Sequence, residues 1–247
     1  MQRCLFRGFP ITPTTDLTIS GSAVLTATTI VFDLDGTLID TAQDLVESLN
    51  HTIAARDLPP VGYEDLTHLV GQGARVMIQR AFALRGAPLA ENEIPTLLDR
   101  FIDHYEAGMP GKSHPYPGLV EALDRLRSAG FRLAVCTNKM ERLALPLLER
   151  LELTSYFAAI AGGDTFAFRK PDPAHILATV ERAGGAPDKV LMIGDSINDI
   201  LAARNGNIPS IAVPFGYSDV PVEDLGASHV IGHFDELTIE LVERLTR

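Results

Sequence analysis

Asp33-Leu34-Asp35-Gly36-Thr37 follows directly on the apolar run Thr29-Ile30-Val31-Phe32. Four apolar or β-branched residues read as a buried strand. The strand ends in two carboxylates two residues apart, a glycine that permits a sharp turn, and a threonine hydroxyl. Asp and Gly also serve ordinary turns. Paired acids at the end of a buried strand are nevertheless costly, because like charges repel and each loses solvation. A divalent cation offsets that cost, and an electrophile gives the acids a use.

Four more apolar runs free of charge read as buried strands: Leu133–Cys136, Ala158–Ala161, Val190–Ile193 and Ser210–Val213. Helical spacing falls between and after them, over Leu119–Ser128, Glu141–Leu151, Pro173–Ala183, Asn198–Asn205 and Phe234–Leu245. Pro173 suits a helix start, and Gly130, Gly184 and Gly206 suit helix ends. Strands alternating with helices predict an α/β fold with a parallel, doubly wound sheet. The alternation lapses between about Thr41 and His114, where only helical patterns appear: Ala42–Arg56, Tyr63–Leu69, Ala74–Arg85 and Ile94–Ala107. The expected organisation is a core over 29–40 and 115–247, with an inserted helical cap domain over 41–114. Residues 1–28 carry eight Ser or Thr between Thr12 and Thr28 and no secretory apolar region, and read as a disordered extension.

Ligands of open parallel sheets bind beyond the carboxyl ends of the strands. At that edge the first strand delivers Asp33 and Asp35. The second delivers Thr137-Asn138-Lys139, and Arg169-Lys170-Pro171-Asp172 follows the third. The fourth delivers Gly194-Asp195-Ser196 and then Asn198-Asp199. These residue types suit phosphoryl transfer. Asp33 is a candidate nucleophile. Asp35 is a candidate acid for the leaving oxygen and base for water. Asp33 and Asp195 suit a hard cation such as Mg²⁺. Lys170 offers a point charge to a phosphoryl group, and Thr137 and Asn138 offer donors. A calcium-binding EF-hand loop starting at Asp33 is excluded, because Leu38 and Asp44 stand where Gly and Glu are required. A receiver domain also places acids, a Thr and a Lys on an α/β sheet, but it has no long helical insert after its first strand.

The chain resembles the haloacid dehalogenase superfamily, in the branch whose helical cap follows the first strand. Asp33-Leu34-Asp35-Gly36-Thr37, Thr137-Asn138, Lys170-Pro171 and Gly194-Asp195-Ser196-x-Asn198-Asp199 match its four motifs in order. The resemblance implies Asp33 as nucleophile, Asp35 as acid and base, and Mg²⁺ held by Asp33, the Asp35 carbonyl and Asp195, with Asp199 beside or against the metal. Within the superfamily, Val70-Gly71-Gln72-Gly73-Ala74, Tyr116-Pro117-Gly118, Cys136-Thr137-Asn138-Lys139 and Ile193-Gly194-Asp195-Ser196-Ile197-Asn198-Asp199 are most similar to the bacterial phosphoglycolate phosphatases. That similarity implies hydrolysis of 2-phosphoglycolate to glycolate and phosphate through an aspartyl-phosphate. A phosphosugar phosphatase, a β-phosphoglucomutase-like mutase and a non-catalytic binding module are the alternatives. The cap candidates for substrate binding are Gly71, Gln72, Gly73 and Arg75.

Composition bounds the partners. A net charge of −11 over 247 residues argues against nucleic acid and anionic membranes. The expected partner is a small anionic phosphorylated metabolite, and a homodimer is left open. Only Cys4 and Cys136 are present, too few for a disulfide framework, which suits a reducing cytoplasm. His104 and His175 read as surface or cap-packing residues, and Cys136 as core.

Overall fold

The computed structural model describes residues 27–65 and 69–247, so the expectation for the N-terminal extension lies almost wholly outside the described residues. Six parallel strands form one sheet in the order β5-β4-β1-β6-β7-β8. They are β1 (Thr29–Phe32), β4 (Arg132–Cys136), β5 (Ala159–Ala161), β6 (Val190–Gly194), β7 (Ser210–Ala212) and β8 (His229–Val230). Side chains alternate across a strand, and here the alternation feeds two cores. Ile30, Phe32, Leu133, Val135, Leu191 and Ile193 enter one apolar cluster, while Val31, Ala134, Cys136, Val190 and Met192 enter another on the opposite face. Helices α4 (Leu119–Ser128), α5 (Glu141–Arg150) and α8 (Ile239–Leu245) cover the first face, and α6 (Pro173–Arg182) and α7 (Ile197–Asn205) cover the second. Burial on both faces is why these strands read as uninterrupted apolar runs.

The insert is helical. It contains α1 (Ala42–Ile53), α2 (Ala74–Leu84) and α3 (Ile94–Gly108). Leu45, Leu49 and Ile53 recur every four residues on α1, and meet Met77, Ile78, Ala81 and Phe82 of α2 and Phe101, Ile102 and Tyr105 of α3. The pattern expected over Tyr63–Leu69 appears as a 3-10 turn at Tyr63–Asp65, and 66–68 lie outside the described residues. The chain enters and leaves the insert through a short antiparallel ribbon of β2 (Ile39–Asp40) and β3 (His114–Pro115).

Three features depart from the sequence reading. Strand β8 was not expected, and neither was the β2–β3 ribbon; each strand concerned is two residues long, too short to give a period. The helix expected over Phe234–Leu245 is divided into a 3-10 turn, Phe234–Glu236, and α8. Thr238 makes the division, because its hydroxyl caps α8 by accepting from the Leu241 N–H at 3.2 Å.

Candidate active site

Strand register assembles the site. β1 lies between β4 and β6, with Phe32 level with Val135 and Ile193. The residues just past those three therefore emerge side by side, and the Asp33 N–H donates to the Ile193 carbonyl at 2.9 Å. One cleft between sheet edge and insert is lined on the sheet side by Asp33, Asp35, Thr137, Asn138, Lys139, Asp195 and Ser196. The insert lines it with Leu45, Val70, Gly71, Gly73, Ala74, Met77 and Phe101.

The deepest part is an acidic cluster. Carboxylate oxygens of Asp33, Asp195 and Asp199 lie within 4.8 Å of one another, and all three residues are buried. Lys170 is their counter-charge. Its Nζ is 2.9 Å from Asp33 Oδ1 and 2.6 Å from Asp199 Oδ1, and donates to the Cys136 carbonyl at 2.6 Å. One cation does not balance three acids. Burial first, and then the Asp199 charge, push the Asp33 carboxyl up to about 6. Burial and the charges of Asp199 and Asp33 hold Asp195 well above the usual carboxylate range. A compact set of hard oxygen donors with surplus negative charge fits Mg²⁺.

A metal test follows. With no metal bound, Asp33 and Asp195 keep protons that the unfolded chain gives up near pH 4. The native state then binds more protons than the unfolded state, so this cluster costs stability as pH rises from about 4 through about 6. Mg²⁺ competes with those protons. In thermal denaturation, Mg²⁺ is expected to raise Tm clearly at about pH 7.5 and far less at about pH 5. An equal rise at both would place the ion away from this cluster.

The acids are held individually. Asp195 accepts from the Thr37 hydroxyl at 3.0 Å and the Tyr217 N–H at 2.7 Å. Gly36 packs against it; a Cβ there would lie 2.5 Å from Asp195 Oδ2, and its φ is +82°. Both facts require glycine in the first motif. Asp199 begins α7 in a capping box with Ser196, whose N–H and hydroxyl donate to Oδ2 at 3.0 and 2.7 Å. Asp35 points away from the cluster. Its Oδ1 accepts from the Thr41 hydroxyl at 2.7 Å and from Lys139 Nζ at 3.0 Å.

The remaining sequence candidates divide. Asn138 Nδ2 donates to the Lys170 carbonyl at 3.0 Å and, across the cleft, to the Gly71 carbonyl at 3.1 Å. Its amide thus joins insert to core. Thr137 lines the cleft, and its hydroxyl accepts from the Lys139 N–H at 3.2 Å. Lys170 sits behind Asp33 and does not line the cleft. Gly71 and Gly73 line it, whereas Gln72 and Arg75 do not. Arg75 is exposed and pairs with Glu91 on the insert surface.

Several site residues had no role in the sequence reading. His175 is fully buried, not on the surface or in the cap. Its Nε2 faces the Gly162 carbonyl at 3.1 Å and its Nδ1 accepts from the Lys170 N–H at 3.3 Å, so the proton resides on Nε2. Burial and the Lys170 charge push its pKa down to about 4, and the neutral ring fixes the Lys170 backbone. Tyr217 joins the acidic cluster to the insert's entrance. Its N–H holds Asp195, its hydroxyl donates to Asp40 Oδ1 at 2.7 Å, and the Tyr217 hydroxyl oxygen accepts from the N–H groups of Thr41 and Ala42 at 2.7 and 2.9 Å. Lys139 bridges Asp35 and the hydroxyl of Tyr105. Lys139 was legible as the third residue of a strand exit; Tyr105 and Tyr217 gave no local signal.

A family model described as haloacid dehalogenase-like hydrolase matches residues 30–213. The chain belongs to that family. A phosphoglycolate phosphatase of Agrobacterium fabrum is 66% identical over 215 residues, covering 87% of this chain and 92% of the relative. A phosphoglycolate phosphatase of Mesorhizobium japonicum is 55% identical over 218 residues, covering 88% and 96%. Among solved structures, a protein from Haemophilus somnus described as a predicted phosphoglycolate phosphatase superposes with a TM-score of 0.80 at 29% identity, covering 85% of this chain and 96% of that one. Among the described residues no helix is long and apolar enough to cross a membrane.

Proposed function

We propose that this chain is a Mg²⁺-dependent phosphatase that hydrolyses 2-phosphoglycolate to glycolate and phosphate. The observation that carries the chemistry is the single cleft that Asp33, Asp35 and Asp195 line from two strand ends. Relatives that share most of the chain and bear the name phosphoglycolate phosphatase support the substrate. The residues fit the ion. Asp33 and Asp195 would hold Mg²⁺, with the Asp35 carbonyl by resemblance and Asp199 supporting from the second rank. When bound, the ion offsets carboxylate charge and draws electrons from the phosphoryl oxygens.

Asp33 attacks phosphorus, and the ester oxygen leaves as the Asp33 acyl phosphate forms. Asp35 supplies the proton to that oxygen, then removes one from the water that cleaves the acyl phosphate. Thr41 and Lys139 fix the Asp35 carboxylate between these steps. Lys170 holds Asp33 in place and lowers the cost of its negative charge. The helical segment 41–114 acts as a cap over the core of 29–40 and 115–247. Its apolar wall excludes water, which strengthens the electrostatics below it. The compartment that suits two cysteines outside any disulfide framework is a reducing cytoplasm.

The test is phosphate release from a panel of small phosphomonoesters. The expected result is highest kcat/KM on 2-phosphoglycolate, complete loss with EDTA and recovery with Mg²⁺. Isomerised sugar phosphate in place of free phosphate would make the chain a mutase, and turnover after exhaustive chelation would remove the metal.

A further inference from the structure

Two negative ends enter this cleft if the substrate is 2-phosphoglycolate, and the residues that handle the phosphoryl group answer only one. A carboxylate taken out of water without a partner is strongly unfavourable. The insert does not answer it. Its cleft-lining side chains Leu45, Val70, Ala74, Met77 and Phe101 are apolar, and Arg75 lies outside with Glu91. Lys170 is behind Asp33, with its partners already in place. Among the described residues that line the cleft, Lys139 is the one cation.

Its position matches the need. Nζ lies 3.0 Å from Asp35 Oδ1, and Asp35 is the group that meets the leaving oxygen. In 2-phosphoglycolate the carboxylate is one methylene from that oxygen, so it arrives beside Asp35. The Lys139 ammonium has three N–H donors. Asp35 accepts from Nζ through both oxygens, at 3.0 and 3.3 Å, and the hydroxyl of Tyr105, on α3, accepts at 2.9 Å. The Oδ2 contact is the longest of the three, and a substrate carboxylate that displaces it takes that donor. The Tyr105 hydroxyl does not itself line the cleft; by accepting from Lys139 it sets where the ammonium sits. The side chain of Lys139 is only 4% exposed, so its charge acts with little screening by water.

We propose that Lys139, positioned by Tyr105 from the insert, binds the carboxylate of the substrate and sets the preference for phosphomonoesters with an anionic end. The assignment rests on the 2-phosphoglycolate reading and deepens it. Because Tyr105 belongs to the insert and Lys139 to the core, the ammonium that reads the carboxylate is held in place by both. An aryl or alkyl phosphate with a neutral leaving group finds no partner there and leaves Lys139 to Asp35.

The experiment compares kcat/KM for 2-phosphoglycolate with that for ethyl phosphate in the wild type, Lys139→Met, Lys139→Gln and Tyr105→Phe. The ratio of the two substrates is the readout, because an effect passed through Asp35 lowers both values and leaves the ratio unchanged. Lys139→Met is expected to lower the ratio roughly 10–150-fold, the size of one charge-assisted contact, mostly through KM. Lys139→Gln should fall between, and Tyr105→Phe should cost about three- to tenfold. Should the Lys139 variants not fold, as judged by thermal denaturation, Tyr105→Phe decides alone, since it removes a single oxygen. A wild type that favours 2-phosphoglycolate beside variants with an unchanged ratio overturns the assignment and leaves the phosphatase reading standing. A wild type with no preference overturns both.

Discussion

Asp33→Asn removes phosphate release, by a factor on the order of 10⁴ or more, while the protein remains folded. The amide keeps the shape of the carboxylate but cannot attack phosphorus as an anion. The folding expectation comes from the neighbours. Asp33 faces the charges of Asp199 and Asp195, and burial already drives its carboxyl up to about 6. Neutralising it relieves that repulsion. Lys170 loses one partner but keeps Asp199 and the Cys136 carbonyl, both at 2.6 Å. Metal-free Asp33→Asn is therefore expected to melt no lower than metal-free wild type. The measurements are initial rates with mass verification of the asparagine, to exclude deamidation back to Asp, and a melting curve with chelator. Residual turnover within about 100-fold of wild type would assign the nucleophile elsewhere. A large fall in Tm would show that the carboxylate acts in folding as well.

The site was legible in the sequence to the extent that strand ends announce it. Asp33, Asp195 and the Thr137-Asn138-Lys139 exit each follow a charge-free apolar run, and the register of three adjacent parallel strands brings them together. Nothing else is needed to predict that these groups share one sheet edge. What depends on long-range packing was not legible. Tyr217 reaches Asp40 across 177 positions of chain, and Lys139 meets Tyr105 on a helix whose periodicity reports only a buried face. His175 has the spacing of an ordinary helical residue, and only its contact with the Lys170 backbone gives it a role. Arg75 illustrates the opposite error. A basic residue beside a glycine loop suggested anion binding, but α2 turns it outward to Glu91. Sequence order gives proximity to the loop and not the face of the helix, and one step along a helix turns a side chain by about 100°.

Lys170→Met is expected to lower stability by about 3–5 kcal/mol, and to remove most activity with it. The Lys170 side chain is 1% exposed, against 0% for Asp199 and 11% for Asp33. No water replaces the ammonium when it is removed, and three carboxylates are left in one buried cluster. Removing one partner of a buried charged set is costly because the other remains unpaired. For a chain of this size that corresponds to a fall in Tm of roughly 6–20 °C. The cause can be separated from lost packing, because methionine fills much of the same volume. If unpaired charge is responsible, Lys170→Met combined with Asp199→Asn regains part of the lost Tm, and the two changes are non-additive. Mg²⁺ should restore more stability to Lys170→Met than it adds to the wild type, since it supplies charge to the same acids. Activity should not return with stability in either case: Asp33 loses the ion pair that holds it, and Asp199→Asn adds no cation. Melting curves of the two single variants, the double variant and the wild type, with and without Mg²⁺, measure all of this. Strict additivity, or a Lys170→Met variant as stable as wild type without metal, would mean that the acids in this cluster are protonated in the native state and that Lys170 is not what permits Asp33 to be an anion.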